Sequence, residues 1–441
     1  MIKYILLLII ISAAFLYSQE EHQHGKKGKK SVDTTKYSPH TEMEMQKKSH
    51  SDKMHNRHGS GTAWLPNNSP MYGYMIDTDS WNFMIHGNLF LRYNNQDINR
   101  NSSRGDAKFD APNWVMVMAR NNISHSGLLR LTAMLSFDPV TVGGFGYPLL
   151  FQSGETWKGK PLVDRQHPHD LFSELSVEYT HSLSDDVDII GYFGYPGEPA
   201  IGPVAFMHRT STLNNPDAPL GHHWQDATHI TFGVGTLGLK IHDYKLEGSL
   251  FTGREPNENR YNFDKPKFDS YSVRLSANPT DEFALQVSHA FLKSPESIDP
   301  DENIRKTTAS VIHNINFIDG NILSTSLVWG FNNVIDEHKE HSVLLESNLK
   351  LHKTNLYGRF EWVQKSGDEL ELPDLLHDDI FDITAVTLGA NYSFFSFNST
   401  NLIFGLQGSI FQPDEMLITY YGSNPLSLEV YLRVSPEMMM H

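Results

Sequence analysis

Segments of strictly alternating apolar and polar residues, about sixteen of them, are joined by connections that are short and long in turn. They predict an all-β fold, a transmembrane outer-membrane antiparallel β-barrel of about 16 strands. The first segment shows the pattern: Trp81, Phe83, Ile85, Leu89, Leu91 and Tyr93 alternate with Asn82, His86, Asn88 and Arg92. In the last, Leu426, Leu428, Val430, Leu432 and Val434 alternate with Ser427, Glu429, Tyr431 and Arg433. The segments start near residues 81, 113, 127, 170, 186, 228, 244, 269, 283, 304, 321, 340, 354, 383, 400 and 426. Short turns fall near 121–126, 182–185, 240–243, 278–282, 314–320, 352–353 and 395–399. Long loops fall near 94–112, 138–169, 196–227, 255–268, 294–303, 332–339, 366–382 and 412–425. An even strand count with short turns at one end and long loops at the other places both termini and the short turns in the periplasm. The other architecture is a soluble secreted propeller or sandwich pair, but no blade-length repeat is present.

Composition narrows the chemistry. The 441 residues contain no Cys, which excludes disulfides, thiolate nucleophiles and thiolate metal ligands. A formal charge of −16 argues against nucleic acid as a partner, because phosphate binding needs a basic face. The 39% hydrophobic and 11% aromatic content suits many strands with one apolar face better than a thick apolar core.

Taken in order, residues 1–18 read as a signal peptide: Lys3, then an apolar run from Ile5 to Phe15, then Ser18. Residues 19–62 read as a disordered periplasmic leader rich in His, Met and Lys. His22, His24, His40, Met43, Met45, His50, Met54, His55 and His58 give it a donor set suited to copper, with Met favouring Cu(I). The solvated alternative leaves these residues incidental. Residues 63–435 form the barrel, with the long loops 138–169 and 196–227 as candidates to fold inward, and residues 436–441 form a Met-rich tail.

The polar face of the strands carries Arg130, Glu174, Glu178, Lys245, Glu247, Arg274, Glu346, Lys350, Arg359, Glu361, Glu429 and Arg433. In a barrel these charges would line a water-filled lumen. Aromatics near segment ends (Trp81, Tyr93, Tyr179, Tyr195, Phe394, Phe395, Phe411) fit interfacial girdles. Asp368, Glu369, Glu371, Asp374, Asp378, Asp379 and Asp382 would make one rim negative and concentrate cations there.

The densest chemistry lies between Asp164 and His229. It opens with Asp164-Arg165-Gln166-His167-Pro168-His169-Asp170 and closes with Gly221-His222-His223-Trp224-Gln225-Asp226-Ala227-Thr228-His229. Three readings compete. The loops can fold inward as a constriction, with their charged groups satisfied by mutual ion pairs; Arg165, Glu174, Arg209, Arg359 and Glu361 are the pore candidates. Alternatively His167, His169, Asp170, His208, His222, His223, Asp226 and His229 supply a metal site, although His-x-His and His-His in loops are weak patterns. Lastly, a His–Asp pair can activate Ser153, Ser173 or water for hydrolysis, but there is no Gly-x-Ser-x-Gly elbow.

Residues 161–172, 197–209 and 218–229 resemble motifs of an uncharacterised family of Gram-negative outer-membrane β-barrel proteins found near copper and heavy-metal resistance systems. The resemblance covers residues from about Trp64 to Val434 and not the leader. It implies the barrel fold and a metal-handling setting, and it brings no catalytic or ligand role with it. The expectation is therefore a porin-like outer-membrane channel linked to passage or tolerance of copper or another divalent metal ion. Its partners would be outer-membrane lipid and periplasmic metal-efflux components. The alternatives are an outer-membrane hydrolase and a metal-binding structural barrel without transport.

Overall fold

The computed structural model describes residues 57–100, 102–226 and 230–439. In chain order the strands begin with β1 (Tyr74–Asp77), β2 (Asn82–Asn95), β3 (Ala107–Asp110), β4 (Asn113–Ser124), β5 (Gly127–Leu135), β6 (Tyr147–Trp157) and β7 (Lys160–Gln166). There follow β8 (Phe172–Ser182), β9 (Val187–Gly194), β10 (Val234–Ile241), β11 (Tyr244–Phe251), β12 (Ser270–Ala277), β13 (Phe283–Lys293) and β14 (Asn303–Asn316). The last are β15 (Ile322–Val334), β16 (Lys339–Leu351), β17 (Thr354–Ser366), β18 (Ile380–Phe397), β19 (Thr400–Pro413) and β20 (Leu426–Pro436).

Sixteen of these strands form a closed antiparallel ring. Each pairs with the next in sequence, and the ring shuts where Leu89–Asn95 of β2 lie against Leu428–Val434 of β20. β1 and β3 are short additions to β2, and β6 and β7 make a separate hairpin. The alternation pattern located the ring strands to within a few residues. Its largest departure is the expected start near 228, where β10 begins at Val234, after Gly233 at φ +98°.

Side-chain placement is inverted relative to a water-soluble sheet. Along β10 to β12, Lys245, Glu247 and Arg274 are each 1% exposed, while the alternating Leu237 is 73% and Leu246 53% exposed. Period-two geometry produces this directly, because successive side chains point to opposite faces. Phe411, expected in a girdle, faces inward instead and packs on Phe151. It shares the parity of Gln407, an inward residue of β19.

The lumen is filled with protein, which overturns the expectation of a water-filled bore. Residues 57–70, the segment 195–226 and the β6–β7 hairpin all contribute buried residues inside the ring. The physical reason is that the wall charges find partners in these segments. Arg92 binds Asp217 at 2.6 Å as well as Asp110 and Glu429. Arg130 donates to the Gly61 carbonyl at 2.7 Å, Arg274 to the Gly202 carbonyl at 3.1 Å and Thr62 Oγ1 at 2.8 Å, and Lys245 to the Thr62 carbonyl. The leader boundary therefore moves. Residues 57–62, expected to be disordered, are hydrogen-bonded inside the barrel, with Gly59, Ser60, Gly61 and Thr62 buried.

Glu198 sits against this inserted segment, its β-carbon side filled by Gly61. Burial pushes its carboxyl up to about 8, against the opposing pull of Arg274 and the Ser60 hydroxyl. A raised acid stabilises the fold when protonated. That contribution is whole below the ordinary carboxylate range and is lost as pH rises through about 8. The fall in urea midpoint between pH 6 and pH 9 should be smaller in Glu198→Gln than in the wild type. An equal fall in both would show that Glu198 is not the titrating group.

Candidate metal centre inside the lumen

The β6–β7 hairpin turns through Lys158 and Gly159, both at positive φ (56° and 70°), the geometry of a two-residue hairpin turn. Along β7, Leu162, Asp164 and Gln166 face inward by alternation, and His167 follows, buried. From the other side, the Pro- and Gly-rich segment ends in a single helical turn, His222–Gln225, packed against β14, β15 and β16. Gly330 on β15 permits this approach, since a β-carbon there would lie 2.5 Å from the Trp224 carbonyl oxygen.

These two elements bring His167, His222 and His223 together. One ring nitrogen from each lies within 4.8 Å of the others. The ring centroids are 5.9 Å (167–222), 5.5 Å (167–223) and 4.2 Å (222–223) apart. His222 Nδ1 lies 3.8 Å from Asp226, beyond hydrogen-bond distance, while the other two Nδ1 atoms face a carboxylate closely, His167 with Glu155 at 3.2 Å and His223 with Glu255 at 3.3 Å. That arrangement is how proteins orient metal-ligating imidazoles, because the carboxylate fixes the tautomer and leaves Nε2 for the ion. Among the described residues His223 Nε2 is buried with no hydrogen-bond partner, and His222 Nε2 meets Gln166 Oε1 at 3.1 Å. Gly154 at φ +106° lies under the His223 ring, and a β-carbon there would sit 2.6 Å from it.

The surroundings keep the site neutral to acidic. Burial holds His167 well below its ordinary value, helped by the Arg260 guanidinium, so the ring is uncharged and can act as a ligand. Arg260 pairs with Glu155 and, at 3.4 Å, with Asp170, whose carboxyl burial raises to about 7. Lys306 donates to the His223 carbonyl at 2.8 Å, and Lys365 lies 4.4 Å over the Trp224 ring.

The remaining candidates separate. His169 faces Asp138 at 2.9 Å, with its ring 6.0 Å from His167. Asp226 pairs chiefly with Arg209 at 2.9 Å. His208 packs against Trp114, with the rings tilted at 56° and their centroids 4.6 Å apart. His229 and the leader residues His22, His24, His40, Met43, Met45, His50, Met54 and His55 lie outside the described residues.

The pore candidates do not border an open bore. Arg209 is fully buried between Glu346 (2.7 Å) and Asp226. Arg359 donates to the Asp217 carbonyl, Glu361 accepts from the Leu220 amide at 2.6 Å, and Glu174 accepts from Ser176 and Tyr192. Arg165 pairs with Asp106 at the long-loop rim, its guanidinium 3.9 Å over Phe145. Of these, Arg209 is held by two ion pairs, and Arg359, Glu361 and Glu174 by hydrogen bonds to carbonyl, amide and hydroxyl groups.

Ser153 accepts a hydrogen bond from Lys365 at 2.6 Å, and Ser173 donates to the Asp170 carbonyl. Among the described residues neither serine has a recorded histidine partner. The residues missed from the sequence are Glu155, Glu255 and Gln166, which back the histidines. Only Gln166, next to His167, carried a positional signal.

No protein-family model matches the chain, and no curated protein matches it. Among solved structures it is similar to Salmonella typhi OmpF in complex with daunomycin, at TM-score 0.49 and 10% identity, covering 82% of this chain and 100% of that one. It is also similar to an anion-selective porin from Comamonas acidovorans, at TM-score 0.48 and 8% identity, covering 81% and 99% respectively. Pseudomonas putida OprB is a third, at TM-score 0.48 and 10% identity, covering 81% of this chain and 94% of that one.

Proposed function

We propose that the chain is an outer-membrane channel protein held closed by its own inserted segments, and that it binds a transition-metal ion at His167, His222 and His223. The observation that carries the metal reading is the convergence of three buried imidazoles, two of them backed by a carboxylate within 3.3 Å. Three nitrogen donors without thiolate suit Zn(II), Ni(II) or Cu(II), the borderline divalent ions. The site lies toward the long-loop end, so an ion would arrive from outside past the acidic loop residues.

The membrane reading rests on the apolar outer face. Leu237, Leu388, Leu406 and Leu432 are 45 to 73% exposed on an otherwise charge-lined ring, a surface that water would not tolerate over so large an area. Tyr244, Phe394 and Phe395 near the short turns, and Phe109 and Tyr271 near the long loops, stand outward as boundary aromatics would. Leu237→Arg, midway along β10, should cost about 2–4 kcal/mol in urea titrations of the protein folded into liposomes. A cost near zero would remove the lipid-facing assignment.

The metal proposal is tested by equilibrium dialysis of the full chain against Zn(II), comparing the wild type with a variant lacking residues 19–56. One equivalent retained by both supports a site inside the barrel. Loss of all binding on removal of that segment would refute it.

A further inference from the structure

The wall opposite the histidine cluster carries a second set of donors of a different kind. Lumen-facing positions of this barrel are mostly charged or hydroxylic, yet β2, β4 and β5 present methionines there. Strand register sets His86 beside Met116 and Met116 beside Met134, with Met84 beside Met118 one step away. Direct cross-strand neighbours have β-carbons about 4.5–5.5 Å apart, so these side chains form one continuous patch. Met116, Met118 and Met134 are 1 to 5% exposed and seat Phe206.

Below them a cavity of ≈ 70 Å³ remains, bounded by Met84, His86, Met71, Met207, His208 and His58. The inserted segment supplies Met207 and His208, and the N-terminal segment supplies His58 and Met71. The rings of His86 and His208 are 5.7 Å apart, and both flank Trp114, at 5.2 and 4.6 Å. Among the described residues, His86 Nε2 and His58 Nδ1 are buried with no hydrogen-bond partner. A buried imidazole nitrogen left unpaired costs free energy unless something binds it.

No carboxylate is among the described residues that border the cavity. That absence disfavours hard divalent ions, which need anionic oxygen. Among the described residues Arg433 is the one permanent cation at the rim, and it donates to Asn88 at 2.8 Å and to Asn214. Thioether sulfur, imidazole and an indole face are together the donors of a soft, singly charged ion.

We propose that this chamber binds a soft monovalent cation of the Cu(I)/Ag(I) class through thioethers of Met84 and Met207 and imidazoles of His86 and His58. It uses different residues from the three-histidine centre and does not depend on it. A second cavity of ≈ 50 Å³ is bordered by both Met207 and His169, so the two sites lie along one interior line. The soft site is nearer the short-turn end, where the described chain begins at Arg57, bonded to Asp243.

The test is a titration of the full chain in detergent micelles with Ag(I) in chloride-free buffer. Methionine methyl groups are labelled with carbon-13, and resonances are assigned by single Met→Leu changes. Stoichiometric Ag(I) should move the Met84 and Met207 methyl resonances, and Zn(II) should leave them in place. Met84→Leu/Met207→Leu, which conserves volume, should weaken Ag(I) binding inside the barrel about tenfold or more. The response should persist in His222→Ala/His223→Ala, which separates this proposal from the divalent one. If Ag(I) moves only the methionines of residues 19–56, the thioethers here serve packing alone and the proposal falls. An equal response to Zn(II) also overturns it. If the double variant does not fold, the wild-type shifts still decide.

Discussion

Replacing both His222 and His223 with alanine is expected to lower Zn(II) affinity inside the barrel by at least about 100-fold, leaving one imidazole where three converge. The measurement is competition against a chromophoric chelator. The effect should be graded in a way that packing loss would not reproduce. Glu255→Gln keeps shape and hydrogen bonding, yet it removes the charge that orients His223 Nδ1 at 3.3 Å, and it should cost about 10–100-fold. The alanine variant should keep the heat-resistant gel mobility of a folded barrel, because both histidines sit on the inserted segment and no ring strand contains them. Unchanged affinity in the alanine variant would eliminate the centre.

The second large effect concerns the plug. Arg209→Ala removes a guanidinium that donates to Glu346 at 2.7 Å, Asp226 at 2.9 Å and the Val204 carbonyl at 3.1 Å. All three side chains are buried, so the variant strands two carboxylates away from water. Breaking such a pair from one side costs about 3–5 kcal/mol, whereas replacing the whole group by apolar residues of similar volume is close to neutral. Burial already raises the Asp226 carboxyl, so proton uptake will offset part of the loss at low pH. In planar bilayers the wild type should show little steady conductance at low voltage, and Arg209→Ala should open it. Arg209→Met/Asp226→Leu/Glu346→Leu should close it again. Conductance of the alanine variant indistinguishable from wild type would mean the seated segment does not depend on this pair.

Much of this architecture was legible from residue order. Leu237, Leu239 and Ile241 alternate with Thr236, Gly238 and Lys240, and such alternation can be satisfied only by a strand with one face apolar and one polar. Connection lengths then placed the strands in an up-and-down ring, because short turns force neighbours to pair. The β6–β7 hairpin escaped this reading. Its pairing is broken by register shifts around Phe151 and Glu155, both at positive φ, so no clean alternation marks β6.

The candidate centre was half visible. His167, His222 and His223 stood out as metal-capable, but nothing separated them from His169, His208 and His229. Fifty-four residues lie between His167 and His222, and only the folded ring decides which imidazoles meet. The backing carboxylates Glu155, on β6, and Glu255, in the loop after β11, stand at no regular spacing from the histidines they face.

What the residue order determined by itself is local and periodic: strand positions, their two faces, and which connections are long. These follow from a two-residue repeat that each strand obeys without reference to the others. What the tertiary structure alone decided is the content of the lumen. The same inward charges would line water in an empty ring or hold protein in a filled one, and alternation is identical in both cases. Partners such as Asp217, Gly61 and Gly202, brought from distant segments to Arg92, Arg130 and Arg274, settle the matter, because they complete the hydrogen bonding of guanidiniums that the wall carboxylates satisfy only in part.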